Sequence, residues 1–132
     1  MSTLAESFTV YIIDDDASVR SGLARLMRSA HLPSQAFASP GEFLAVAETA
    51  TDGCVLLDLT MPYMTGSEMQ AHLRAIQFKL PVIVVSANDS ENARQAAIAL
   101  GASFYLRKPV DDQALIDAIH WVTEGTASRQ QN

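Results

Sequence analysis

The chain is poor in the features that send a protein out of the cell or into a membrane. It has one cysteine, Cys54, among 132 residues, so no disulfide can close within it. No apolar run approaches the roughly 20 residues that a membrane helix needs. Residues Met1 to Thr9 lack the basic start and long apolar core of a signal peptide. Positive charge is scarce: 9 Lys and Arg stand against 15 Asp and Glu, a net charge of -6. That balance argues against a nucleic-acid surface on this domain. There is no internal repeat, no low-complexity block and no P-loop. These absences lead to the expectation of a single cytoplasmic domain in a reducing compartment, touching neither membrane nor nucleic acid. What remains is ordinary for a folded domain: 48% hydrophobic and 18% charged residues, on a chain long enough for a real core.

Five short β-rich runs alternate with five helical patterns. The runs are Phe8 to Ile13, Ser34 to Phe37, Cys54 to Leu57, Pro81 to Val85 and Ser103 to Leu106. Cys54-Val55-Leu56-Leu57 is apolar throughout, as a central strand of a parallel sheet must be when both faces are covered. Cys54 is then a packed core thiol. Val19, Leu23, Leu26 and Met27 recur at helical spacing, with Asp16 or Ser18 as the cap. Ser39-Pro40-Gly41-Glu42 starts a second helix, whose apolar side is Phe43, Leu44 and Ala47. Thr65-Gly66-Ser67-Glu68 starts a third, with Met69, Leu73 and Ile76 on its stripe. An alanine-rich helix from Ser90 to Leu100 follows, with a weak stripe of Ala93, Ala97 and Leu100, and Gly101 closes it. A last helix from Asp111 to Val122 carries Leu115, Ala118, Ile119 and Val122 on one side. Residues 1–7 read as an N-terminal tail, and residues 125–132, small and polar, as a tail or the start of a linker. Strict alternation predicts an α/β fold: a doubly wound parallel sheet between two helical layers.

Chemistry-bearing residues sit where the strands end. Asp14, Asp15 and Asp16 follow the first run, Asp58 the third, Ser86 the fourth, and Lys108 comes after the fifth. In a doubly wound sheet these ends share one edge, which is where ligands bind. Three carboxylates brought together repel, and the relief is a divalent cation; oxygen donors with retained water suit Mg²⁺. Taken singly, each residue has a plainer reading. The aspartates equally suit a solvated loop with one helix cap, Asp58 a turn, Ser86 a loop serine and Lys108 a surface lysine. It is the coincidence of four strand ends, each with the charge the others need, that points to a site.

This combination resembles the receiver domain of two-component response regulators. The pieces that match are the acidic cluster Asp14-Asp15-Asp16, Asp58-Leu59-Thr60-Met61-Pro62 with Gly66, Ser86-Ala87, and Lys108-Pro109. The resemblance covers residues Phe8 to Glu124, and it implies a flavodoxin-like, five-stranded sheet of order 2-1-3-4-5 with five helices. It further implies that Asp58 is a phosphoacceptor served by a sensor histidine kinase. Asp15, Asp58 and the backbone carbonyl of Thr60 then bind Mg²⁺, and Asp14 acts through water. Ser86, the backbone N–H of Ala87 and Lys108 meet the phosphoryl group, and Tyr105 occupies the family's aromatic switch position. Self-phosphorylation and self-dephosphorylation with Mg²⁺ are the only catalysis implied. The local wording is most similar to receivers fused to helix-turn-helix transcription factors. On that basis the expected output is transcriptional, through a domain that is not part of this sequence. Three positions depart from the family's habit. Thr60 stands where a basic residue is common, and only its backbone is needed. Asn88 occupies a variable position linked to phosphoryl lifetime. Val110 replaces a frequent phenylalanine, without a mechanistic account.

Two other classes fit less well. A Mg²⁺-dependent phosphohydrolase with an aspartyl nucleophile would carry a second acid two residues on, where this chain has Thr60. A flavodoxin-type cofactor binder would need a Gly, Ser or Thr-rich phosphate loop after the first strand, where this chain has three aspartates. His31, His72 and His120 stand apart from any ligand partner. Ile98, Ile116 and Trp121 fall off the core stripes of their helices; Ile98 and Ile116 equally suit core packing, while Trp121 is expected to be partly exposed. The surface of the fourth helix, fifth strand and last helix is therefore the expected face for a phosphorylation-dependent homodimer or for output contacts.

Overall fold

The computed structural model describes residues 8–59, 66–88 and 90–131. Five parallel strands form one sheet: β1 (Thr9–Ile13), β2 (Ser34–Phe37), β3 (Gly53–Asp58), β4 (Val82–Ser86) and β5 (Phe104–Arg107). Their order is β2-β1-β3-β4-β5, the order implied by the resemblance. The helices are α1 (Ala17–Ser29), α2 (Pro40–Leu44), α3 (Gly66–Ala75), α4 (Glu91–Ala99) and α5 (Asp112–Gln131), with a 3-10 turn at Ala47–Thr49. No described helix is long and apolar enough to cross a membrane. Residues 1–7, Thr60 and the expected third-helix cap Thr65 lie outside the described residues.

Alternation along each strand divides the core into two layers. Tyr11, Ile13, Val55, Leu57 and Val84 face α2, α3 and α4, where they meet Phe43, Met69, Leu73 and Ala97. Val10, Ile12, Cys54, Leu56 and Ile83 face α1 and α5, where they meet Met27, Leu115 and Ile119. β3 and β4 are buried along their whole length because helices cover both faces. β5, at the sheet's edge, is only partly buried.

Local chemistry starts the helices. The Asp16 carboxylate accepts from the backbone N–H of Ser18 at 2.8 Å and of Val19 at 3.3 Å, so Asp16 rather than Ser18 caps α1. Ser39 caps α2 through the N–H of Glu42, ahead of Pro40 in the first turn. Ser90 caps α4 through the N–H of Ala93 at 3.1 Å. Each such cap is worth about 1 kcal/mol. Gly53 opens β3 at φ 137°, where an added Cβ would sit 1.8 Å from the carbonyl oxygen of Thr9. Only glycine lets β1 and β3 approach so closely there.

Three readings of the sequence need correction. Ile76 does not join the core stripe: α3 ends at Ala75, and Ile76 is 47% exposed. The short second helix ends at Leu44, and Ala47 packs from the 3-10 turn that follows. The last helix, expected to end at Val122, continues to Gln131. One glycine at position 125 costs a helix only about 1 kcal/mol relative to alanine, and the alanine, arginine and glutamines beyond it favour helix.

Candidate phosphoacceptor site

The pairing of β1 with β3 brings the acids together. Ile13 lies opposite Leu57, so Asp14 and Asp58, the next residues in their strands' directions, emerge side by side at the same edge. Both are nearly fully buried, at 3% and 5% exposed, while Asp15 is exposed. Carboxylate oxygens of Asp14, Asp15 and Asp58 all lie within 4.8 Å of one another. Among the described residues no other group of acids, histidines or cysteines gathers this way, and His31, His72 and His120 are exposed and apart.

Lys108 supplies the counter-charge. Its Nζ lies 3.0 Å from Asp14 Oδ2 and 3.7 Å from Asp58 Oδ2. Its backbone N–H donates to the carbonyl of Ser86 at 2.8 Å, which fixes the β5 end against the β4 end. Partial burial pulls the Lys108 ammonium towards neutrality. The hydrogen bond to Asp14 and the charges of Asp14 and Asp58 outweigh that, and its pKa is raised above the ordinary lysine value. Asp14 is held from two further directions: its Oδ1 accepts from the N–H of Asp16 at 2.9 Å, and its carbonyl from Arg20 Nη1 at 2.8 Å.

The remaining expected residues surround this core of charge. Ser86 is fully buried at the last position of β4, and its Oγ accepts from the N–H of Asn88 at 3.1 Å. Ala87 lies between them and is exposed. Tyr105, half-buried on β5, donates its hydroxyl hydrogen to the carbonyl of the same Asn88. Asn88 therefore joins Ser86 to Tyr105, a link that sequence could not reveal because it runs through the Asn88 backbone, on which the residue type has no bearing. Arg20 was equally invisible as a support of Asp14. Thr60, the expected carbonyl ligand, lies outside the described residues. Cys54 sits near the opposite end of β3 as a buried core thiol, its pKa pushed up to about 12 by burial.

The donor set fits a magnesium ion. It consists of hard carboxylate oxygens close enough to share one cation, with the exposed Asp15 leaving room for retained water. Chemically, the arrangement offers a buried carboxylate as nucleophile, a cation beside it, and a hydroxyl on the neighbouring strand.

Comparison with known proteins agrees with this geometry. The sequence profile of the response regulator receiver domain matches residues 10–120. The transcriptional regulatory protein TdiR of Thauera aromatica is 38% identical over 112 residues, which is 85% of this chain and 49% of TdiR. The transcriptional regulatory protein FixJ of Azorhizobium caulinodans is 35% identical over 116 residues, 88% of this chain and 55% of FixJ. The crystal structure titled FixJ-N superposes with a TM-score of 0.83 at 31% identity, covering 89% of this chain and 94% of that one. The chain spans about half the length of the curated relatives it matches.

Proposed function

This chain belongs to the response regulator receiver domain family, and from that premise we propose that Asp58 accepts a phosphoryl group from a sensor histidine kinase. An Asp58 carboxylate oxygen attacks phosphorus, the P–N bond of the donor phosphohistidine breaks, and the imidazole leaves with the bond's electron pair. The product is an acyl phosphate on Asp58. Such a transfer asks the protein for position and for positive charge on the phosphoryl oxygens. The observation that carries this reading is Lys108 Nζ, 3.0 Å from Asp14 and 3.7 Å from Asp58, poised to follow the charge as it moves onto phosphorus. Asp15 and Asp58, with the carbonyl of Thr60, are the proposed Mg²⁺ ligands, and Asp14 contributes through water. Bound there, Mg²⁺ supplies the charge neutralisation that lets two anions meet. The domain is a phosphoacceptor rather than a turnover enzyme, its only catalysis being slow self-phosphorylation from small donors and self-dephosphorylation.

The new phosphoryl oxygens accept hydrogen bonds from the Ser86 hydroxyl and the Ala87 N–H. As Ser86 turns to them it gives up the Asn88 N–H, and the Asn88 carbonyl that anchors Tyr105 shifts with it. A local charge event thus reaches the surface of α4, β5 and α5. Ile98 and Trp121 are 42% and 62% exposed on α4 and α5, with Trp121 edge-on to Phe104 of β5. Ile116 is half-buried against the core and contributes less. This face is the proposed homodimer or output contact, and the output is transcriptional, as the names of the relatives suggest. The unit runs from residue 8 to 124, is cytoplasmic, and makes no nucleic-acid contact of its own. The test is intact-mass spectrometry after treatment with acetyl phosphate and Mg²⁺. One added phosphoryl group is expected, lost in Asp58→Asn; full labelling of Asp58→Asn would refute the assignment.

A further inference from the structure

A cavity of about 500 Å³ lies between the strand ends, α1 and the start of α5. Its walls are Leu56 and Val85 of the sheet, Val19 and Leu23 of α1, and Val110 and Leu115 of the last crossing. None of these side chains takes part in the phosphoryl chemistry. Its charged lining is Asp14, Asp58 and Asp112 against the single cation Lys108. Volumes of about 300–1,000 Å³ with mostly apolar walls and a few polar groups are those of small-molecule sites. An apolar cavity gives water few partners, and even smaller ones, of about 150 Å³, take up benzene. Val19, Leu23 and Val110 are only partly buried, so some apolar surface is left uncovered where the cavity opens.

We propose that this cavity is a binding site for a neutral, apolar small molecule, for which indole serves as the probe. The walls favour an apolar body, and three carboxylates against one ammonium disfavour an anionic group at the rim. An aromatic acid is therefore disfavoured where the neutral compound binds. Occupancy does not depend on Asp58 being a phosphoacceptor, because the binding is read on the unphosphorylated chain.

The experiment titrates indole, and separately indole-3-acetate, into the full chain in EDTA, so that no divalent cation offsets the carboxylates, while following assigned methyl resonances. Indole is expected to shift the methyls of Val19, Leu23, Val110 and Leu115 saturably. Indole-3-acetate should bind at least about tenfold more weakly, by the charge argument above. Val110→Phe places a ring on the cavity wall and should abolish the saturable shifts while the amide spectrum stays dispersed. Should that variant fail to fold, Val19→Met narrows the same space from the opposite wall and should weaken indole binding. Methyl shifts confined to residues outside the cavity, such as Ile98 and Ile116, equal binding of the anion, or undiminished binding in a folded wall variant would each overturn the proposal.

Discussion

Replacing Lys108 by methionine tests the charge balance of the site directly. The substitution keeps most of the side chain's apolar bulk and removes one positive charge. That charge lies 3.0 Å from Asp14 and 3.7 Å from Asp58, and both carboxylates are almost completely buried. Removing one partner from a buried ion pair costs roughly 3–5 kcal/mol, because the other charge is left unpaired. The Lys108 side chain is itself 26% exposed, so water screens part of the interaction and the lower end, about 3 kcal/mol, applies. For a domain of this size that is a fall in Tm of roughly 10 °C. The deficit should depend on metal. Mg²⁺ stabilises both proteins, so it closes the gap only by the difference in affinity: a variant that binds about 100-fold tighter recovers about 2.7 kcal/mol at saturating metal. Thermal unfolding of wild type and Lys108→Met, each in EDTA and in Mg²⁺, measures both quantities. The expected result is a large gap in EDTA that Mg²⁺ nearly closes, with tighter Mg²⁺ binding by the variant. A loss below about 1 kcal/mol in EDTA, or a gap that Mg²⁺ leaves unchanged, would refute the view that Lys108 and a metal serve the same buried negative charge.

Gly53→Ala should be severe, at roughly 4 kcal/mol or outright failure to fold, since its Cβ would meet the Thr9 carbonyl oxygen at 1.8 Å; denaturant midpoints measure it. Cys54 makes the domain sensitive to alkali. Its thiol ionises near the ordinary 9.0 when unfolded but about 12 when folded, so the folded state holds the proton longer and stability falls as pH rises above 9.0, by about 1.4 kcal/mol at pH 10. Cys54→Ala should flatten that slope in urea titrations between pH 8 and 10, a window in which the Lys108 contribution, with its pKa raised above 10.5, is still intact. Trp121→Ser should leave phosphorylation in place but weaken any phosphorylation-dependent dimer, seen by analytical ultracentrifugation with beryllofluoride and Mg²⁺; an unchanged dimer would move the interface elsewhere.

Much of the architecture was legible because burial leaves a mark on composition. The fully apolar stretch from Cys54 to Leu57 and the run from Val82 to Val85 have no alternative as central strands, and the polar residues that end them stand out against it. The site followed from topology, since a parallel sheet delivers all its strand ends to one edge. Less was legible where a residue's type and its environment part company. Ile76 looks like core and is exposed, because helix α3 stops one residue short of it. Gly53 looks like a turn and is a strand residue, because a close approach between strands asks for glycine as strongly as a turn does. The contacts through Asn88 run over its backbone, which any sequence possesses. The cavity beside Val110 depends on how several walls meet, and no single position announces a void.

The bond between Lys108 and Asp14 joins residues 94 positions apart. Closing so long a loop costs entropy before any contact repays it, and parallel sheets of such distant pairings are slow to form. β1 is joined to β5 only through β3 and β4, so the ammonium meets the carboxylates only when all four strands are in the sheet. During synthesis, and after any partial unfolding that frees the edge strand, the acids lack that cation. On the proposed function, receptiveness to phosphorylation is thereby a property of the finished sheet, and a chain without β5 in place would lack the ammonium that the transfer needs.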